Sequence, residues 1–263
     1  MVIKKHISII IILLTVTILS ACTKDNPDTK STTLPVIESY LMPGQPVVVK
    51  LYQQKSLTDT AVYGAHITGM KVYISDGSQK VQLTESTSGV YTYTNLTFLV
   101  TGKTYSLQFN YLGYNVTAST VMPAKPVNFV SQYPGITIVS GTPGNRGTVL
   151  NLFSWSNPDS LNHVLVIKGV SATVPVNSFS SDKPLNSQIN TNRASYYNLT
   201  ASPFAYLGAY QIILLRVNQE YINLLNNNTR TSSQDLNQVP TNIVNGFGIF
   251  TAMQADTLNF TVL

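Results

Sequence analysis

Apolar and polar residues alternate in short runs along most of the chain from residue 34 onward. In "KTYSLQF", Tyr105, Leu107 and Phe109 fall on one face, and the intervening polar residues fall on the other. This period of two is typical of a half-buried β-strand. Similar runs, separated by turn signals such as Asp76-Gly77, predict about seven strands within residues 34–122. The pattern therefore predicts an N-terminal β-sandwich of the immunoglobulin or transthyretin type.

A second β-rich region follows two closely spaced prolines, Pro123 and Pro126. Strands are predicted in "GTVLNLFSWSNP", "HVLVIKGV" and "AYQIILLRV", whereas residues 171–205 lack periodicity and are expected to form long loops with short strands. The sequence thus predicts a mainly β chain with two domains, residues 34–122 and 123–263.

The C-terminal part contains one segment with helical spacing. In "NQEYINLLNNN", residues 218–228, the apolar residues from Tyr221 to Leu225 recur at three- and four-residue intervals, and an asparagine run suited to a helix end follows. One short helix is predicted there. Residues 247–253 and 257–262 are predicted to form two terminal strands.

The first 21 residues have the order of a secretory signal peptide. Lys4-Lys5 precede an apolar run from Ile7 to Leu19, and the small residues Ser20-Ala21 follow. At 1.5 Å per residue the run spans about 20 Å, less than the roughly 30 Å of a bilayer core. Residues 1–21 are therefore predicted to be a cleaved signal and not a membrane-spanning helix.

The tetrapeptide Leu19-Ser20-Ala21-Cys22 resembles the bacterial lipobox. The resemblance implies that the Cys22 thiol is diacylglycerated, that cleavage separates Ala21 from Cys22, and that the new amino terminus is acylated. Two or more acyl chains hold a protein firmly on a membrane. An ordinary signal peptide with an incidental cysteine is the alternative. Residues 22–33 are polar and are predicted to be a flexible tether.

The residues after the cysteine favour the outer membrane. Thr23 stands where an aspartate would resemble a signal for retention in the inner membrane. Lys24-Asp25 partly resembles the signal that sends lipoproteins of Bacteroidetes to the cell surface, although Asn26 and Pro27 interrupt the acidic run. The face of the outer membrane therefore stays open.

The net charge and the cysteine content bear on the possible partners and on disulfide bonds. The formal charge of +5 falls to +3 when Lys4 and Lys5 leave with the signal, which is too weak to indicate a nucleic-acid partner. Cys22 is the single cysteine, so the folded part is predicted to contain no disulfide.

Several segments together resemble the DUF4249 family, which consists of Bacteroidetes lipoproteins with a domain of unknown function. The best markers are the opening "VIESYL", the strand "GKTYSL" and the ending "NIVNGFGIF". The resemblance covers about residues 34–263 and implies an envelope lipoprotein, often encoded near TonB-dependent transporters, but no reaction. In the ending, a bulged core strand is the simpler interpretation of Gly246 and Gly248, and a glycine turn that lines a ligand site is the alternative.

Residues that would indicate catalysis are scarce. His66 and His163 are far apart in the sequence and form no metal-binding motif, and no nucleophile elbow, phosphate-binding loop or dinucleotide fingerprint occurs. We therefore expect no catalytic residue, no metal and no cofactor.

Aromatic residues are the remaining candidates for recognition. Tyr196, Tyr197, Tyr206 and Phe247 are candidates for contact with a ligand or partner, because aromatic rings give a large contact area. Packing within half-buried strands is the alternative for each. Trp155 is expected to fill the core at a strand end.

The sequence as a whole predicts a non-enzymatic outer-membrane lipoprotein. Its expected partners are the membrane, through the N-terminal lipid, and a TonB-dependent receptor, with a glycan or peptide as ligand. Two alternatives stay open, a structural or adhesive surface lipoprotein and a hydrolase that acts on glycans or peptides. The hydrolase requires a cleft that holds several polar residues with perturbed pKa values.

Overall fold

The computed structural model describes residues 33–55, 60–138, 148–176, 184–227 and 241–263. The predicted mainly β fold with one short helix is confirmed. The N-terminal strands are β1 (Pro35–Leu41), β2 (Val47–Gln53), β3 (Tyr73–Ser75), β4 (Lys80–Gln82), β5 (Thr84–Thr87), β6 (Val90–Tyr93), β7 (Thr104–Tyr111) and β8 (Tyr114–Val121). The other elements are β9 (Val127–Ser131), β10 (Gly135–Ile136), β11 (Asn151–Ser156), β12 (His163–Gly169), β13 (Val174–Pro175), β14 (Asn186–Asn190), β15 (Tyr196–Leu199), β16 (Tyr206–Val217), α1 (Gln219–Asn227), β17 (Ile243–Val244) and β18 (Phe247–Val262).

Local sequence signals account for several of these elements. In β7 every second side chain is buried, as the alternation predicts. The predicted turn at Asp76-Gly77 joins β3 to β4, and the Asp76 carboxylate accepts hydrogen bonds from the backbone N–H groups of Ser78 and Gln79. The predicted helix at 218–228 is confirmed as α1.

Two sheets pack face to face around the first core. One is the run β18-β1-β2-β6-β5 of the large sheet, and the other is the five-stranded sheet β17-β8-β7-β3-β4. Their inward side chains form one cluster, in which Leu51, Ile74, Leu107 and Phe250 are almost fully buried. This arrangement is a β-sandwich, as expected for the N-terminal part.

A second core lies between the three-stranded sheet β15-β11-β9 and strands β12, β16 and β18. The rings of Phe153 and Phe260 meet edge to face with their centroids 5.5 Å apart. Trp155 is buried in this core, as expected. A third cluster lies under α1, where Tyr221 and Ile222 pack with residues of β16 and β18.

Strand β18 contributes to all three clusters. Its first six residues pair in parallel with β1, and its last ten pair antiparallel with β16. The prediction of two separate terminal strands is wrong, because Gln254 to Asp256 continue the ladder with β16. Their polar side chains have partners of their own: Gln254 Nε2 donates to the Pro123 carbonyl at 2.6 Å, and Asp256 pairs with Lys125 at 3.1 Å.

The predicted domain boundary at residues 122–126 falls between β8 and β9, where the chain passes from the first core to the second. The two cores nevertheless share one sheet, because β18 lies between β16 and β1. Residues 34–263 form one compact unit. The signal peptide of residues 1–21 and nearly all of the tether at 22–33 lie outside the described residues.

Candidate functional site

The structure separates the aromatic residues that the sequence singled out. Tyr196 is 54% exposed on β15, whereas Tyr197 faces the second core, where burial raises the pKa of its hydroxyl. Tyr206 is half-buried against the same core, and Phe247 begins β18 opposite Val36 of β1. Their role in recognition stays a prediction. The predicted lipidation and cleavage residues, Cys22 and Ala21, lie outside the described residues.

A polar cleft of about 240 Å³ lies where α1 meets β18 and the segment before β17. Its walls are formed by residues from the first half of the helix and by the "TN…GI" residues of the C-terminal segment. The residues that line it are Gln219, Glu220, Asn223, Thr241, Asn242, Gly248 and Ile249. The segment that carries the family resemblance therefore forms one wall of the cleft.

Asn218 fixes the start of the helix at this cleft. Its carbonyl accepts hydrogen bonds from the N–H groups of Tyr221 at 3.2 Å and Ile222 at 3.5 Å, so it occupies the N-cap position. Its side-chain nitrogen donates to Thr120 Oγ1 at 2.9 Å and to the Val121 carbonyl at 2.7 Å. One side chain thus connects the helix to β8.

Glu220 places a carboxylate in the first turn of α1. Its Oε1 accepts hydrogen bonds from Thr120 Oγ1 at 2.7 Å and from Thr251 Oγ1 at 3.1 Å. Both threonines are buried, and the negative charge lies near the positive end of the helix dipole, where it is favoured. The second carboxylate oxygen, Oε2, accepts no hydrogen bond from the residues that the structure describes.

Asn242 attaches the opposite wall to β18. Its amide group donates to the Phe250 carbonyl at 2.6 Å and accepts from the Phe250 N–H at 3.1 Å, so it imitates a neighbouring strand. Thr241 Oγ1 donates to the Gly248 carbonyl at 2.9 Å. These contacts hold the two polar side chains at the rim of the cleft.

Gly248 allows β18 to approach β1 closely at the cleft. Its φ is +95°, and a Cβ at this position would lie 2.0 Å from the Ile37 carbonyl oxygen. A side chain is therefore excluded both by the backbone conformation and by the neighbouring strand. The pairing of β18 with β1 runs through Gly248 without a register shift, so the bulge expected here is not seen. Gly248 also lines the cleft, and its role in a ligand site stays a prediction.

The chemistry of the cleft suits hydrogen bonding to a small polar group. At about 240 Å³ the cleft is smaller than the roughly 300–1,000 Å³ of most ligand sites, so it has room only for a small group. Gln219 and Asn223 supply amides that both donate and accept, and Glu220 is the one carboxylate among the residues that line the cleft. The residues that line the cleft include no pair of acids of the kind that glycoside hydrolysis uses.

Sequence reasoning missed most of these residues. An asparagine directly before a helical pattern is an N-cap signal, and an acid two residues later suits the first turn, so Asn218 and Glu220 had a local signal. Thr120 had none, because its partner Glu220 is 100 positions away in the sequence.

Neither histidine belongs to a metal site in the described ranges, where no group of three or more His, Cys, Asp or Glu side chains could hold an ion. His163 is buried, and the loss of hydration lowers the pKa of its imidazole. His66 is exposed and packs against the ring of Tyr52. Within the same ranges, no helix is both long and apolar enough to cross a membrane.

No protein-family model matches the sequence, and no curated protein matches it. Membership of the DUF4249 family therefore stays a prediction that rests on the residues quoted for it.

Proposed function

We propose that this chain is a lipid-anchored protein of the outer membrane that binds a ligand or partner without catalysing a reaction. We further propose that it serves as an accessory of a TonB-dependent transporter. The observation that carries the anchor is the order of residues at the N-terminus: two lysines, an apolar run too short to span a bilayer, two small residues and Cys22.

The binding role is supported by the cleft between α1 and β18. Its donors and acceptors are held in place by the contacts of Asn218, Glu220 and Asn242 with strands β8 and β18. A site that is fixed before binding loses less entropy when its ligand arrives. The transporter partnership is supported only by the family resemblance.

The anchor is tested by replacing Cys22 and following the acyl chains. In a Bacteroidetes host supplied with labelled palmitate, the natural chain is expected to take up label and to remain with the outer membrane after a salt wash. Cys22→Ser removes the thiol and is expected to abolish both the uptake of label and the retention on the membrane. Ala21→Gly, which keeps a small residue before the cysteine, is the matched control and should retain the label.

An unlabelled natural chain would overturn the lipid anchor. The same result with continued membrane association would point instead to attachment through a protein partner.

A further inference from the structure

A shallow polar track crosses the outer face of the five-stranded sheet β17-β8-β7-β3-β4. It consists of three depressions that share residues. Asn242 belongs both to the cleft at α1 and to a depression of about 520 Å³ over β7 and β8. Gln108 belongs both to that depression and to a third of about 470 Å³ beside β3. The shared residues therefore place the three depressions next to one another on this surface.

The alternation of the strands makes the middle of this track polar. Ser106 lies opposite Ser119, and Gln108 lies opposite Thr117, with all four side chains on the outer face. Neighbouring strands lie about 4.8 Å apart, so the track from β3 to β17 is roughly 14 Å long, which exceeds one sugar ring.

The far end of the track carries positive charge. Lys71 and Lys80 both line the third depression, together with Tyr73 of β3. Lys80 Nζ lies 4.8 Å from the centre of the Tyr73 ring and donates to Gln108 Oε1 at 2.6 Å. Among the described residues, neither lysine forms an ion pair with a carboxylate.

One carboxylate lies beside this end, because Glu85 is hydrogen-bonded to the backbone of Gly69, which lines the third depression. Glu85 accepts hydrogen bonds from the N–H groups of Gly69 at 2.8 Å and Gly89 at 2.9 Å, which lower its pKa. The Glu85 carboxylate stays negatively charged, but among the described residues it forms no ion pair with Lys71 or Lys80.

We propose that the track binds an acidic oligosaccharide. Its carboxylate or sulfate group lies at Lys71 and Lys80, and its hydroxyl groups follow the serine, threonine and amide side chains toward the cleft. Amides and hydroxyls both donate and accept, which matches the hydroxyls of a sugar better than the side chains of an apolar peptide. The inference rests on the proposed binding function, because it names the ligand class for the same cleft.

Isothermal titration tests the inference on the full mature chain in mild detergent. The probes are oligomers of galacturonate, hyaluronan and chondroitin sulfate, each beside its methyl-esterified, carboxyl-reduced or desulfated form. At least one acidic oligomer is expected to bind, with its neutralised form about a hundredfold weaker. Lys71→Gln and Lys80→Gln are each expected to weaken binding about tenfold, which is the loss of one hydrogen bond to a charged group.

Two controls separate the site from general charge. Lys168→Gln removes an exposed lysine of β12, away from the track, and should leave binding unchanged. Thr117→Trp fills the middle of the track and should weaken the oligomer but not free acetate or sulfate. A thermal melt of each variant confirms that it folds.

Three results would overturn the inference: no acidic oligomer binds, the neutralised form binds equally well, or both lysine replacements are silent. Binding of free acetate or sulfate as tightly as the oligomers would also overturn it, since the sugar units would then contribute nothing. Anchoring and transporter co-purification are measured separately, so their failure is distinguishable from failure here.

Discussion

Replacing Gly248 by alanine tests the contact between the two ends of the described fold. In the parallel ladder Gly248 pairs with Ile37, and an added Cβ would lie 2.0 Å from the Ile37 oxygen and 2.9 Å from its carbon and nitrogen. Strand β18 or β1 must therefore move at this position. The resulting loss of stability is measured as the fall in melting temperature, with thermal unfolding followed by circular dichroism.

Two contributions set the expected magnitude. A non-glycine residue at φ +95° costs about 1–3 kcal/mol, and overpacking against a fixed neighbour costs about 1–3 kcal/mol more. For a loss of about 4 kcal/mol, a domain of this size should melt roughly 8–16 °C lower.

Gly102→Ala is the matched control for this variant. Gly102 also has a positive φ, of +79°, but a Cβ there has nothing within 4 Å. Gly102→Ala should therefore cost only the free energy of placing a non-glycine residue at a positive φ, and hydrogen exchange in β1 should stay slow. If Gly248→Ala melts no lower than Gly102→Ala, the close parallel pairing of β1 with β18 is not what requires glycine, and the reasoning fails.

Four further outcomes are expected. Asn218→Ala should lower the free energy of unfolding by about 1–3 kcal/mol, because the buried Thr120 hydroxyl and the Val121 carbonyl lose a donor. Asn223→Ala, on the exposed side of the helix, should cost far less in the same chemical denaturation. Burial lowers the pKa of His163, so the folded state holds the neutral ring, and stability should fall as pH drops below about 6.5; His163→Gln should reduce that slope in melts from pH 7 to 5. The Lys103 ammonium lowers the pKa of Asp76, so the ionised carboxylate stabilises the fold above about pH 4, and this stabilisation is lost below it. Asp76→Asn should therefore reduce the loss of stability at acid pH in the same series of melts. Glu220→Gln should change the melting temperature by no more than about 1–2 °C but should change ligand affinity. Unchanged affinity would show that Glu220 takes no part in binding.

The parts of the fold that the sequence predicted are those with a local cause. The alternation in β7 is visible because each strand residue faces either core or solvent. The end of one strand is harder to predict when its pairing partner decides it. The polar residues Gln254 and Asp256 interrupt the apolar pattern, yet the hydrogen-bond ladder with β16 continues through them.

Tyrosines show the same limit. Exposed and buried tyrosines look identical in sequence, and three of them, Tyr91, Tyr105 and Tyr210, are fully buried with their hydroxyls donating to backbone carbonyls. The ring is apolar enough for a core when its hydroxyl finds an acceptor. Aromatic content alone therefore could not separate recognition from packing.

The cleft could be predicted only in part. The resemblance drew attention to "NIVNGFGIF", and its residues Asn242, Gly248 and Ile249 do line the cleft. The helix that completes the cleft, and Thr120, which holds its Glu220 side chain, come from segments far apart in the sequence. The lysines of the track had no sequence signal, because their environment depends on the register of β3 with β4 and β7.

The most direct test of the proposed function is the composition of the complex that the chain forms in its own membrane. The tagged chain would be purified in mild detergent from outer membranes, and the co-purifying proteins quantified by mass spectrometry against an untagged strain. We predict enrichment of a TonB-dependent β-barrel transporter and reduced uptake of its substrate when the gene is deleted. Recovery of the chain alone as a monomer, with uptake unchanged on deletion, would contradict the account.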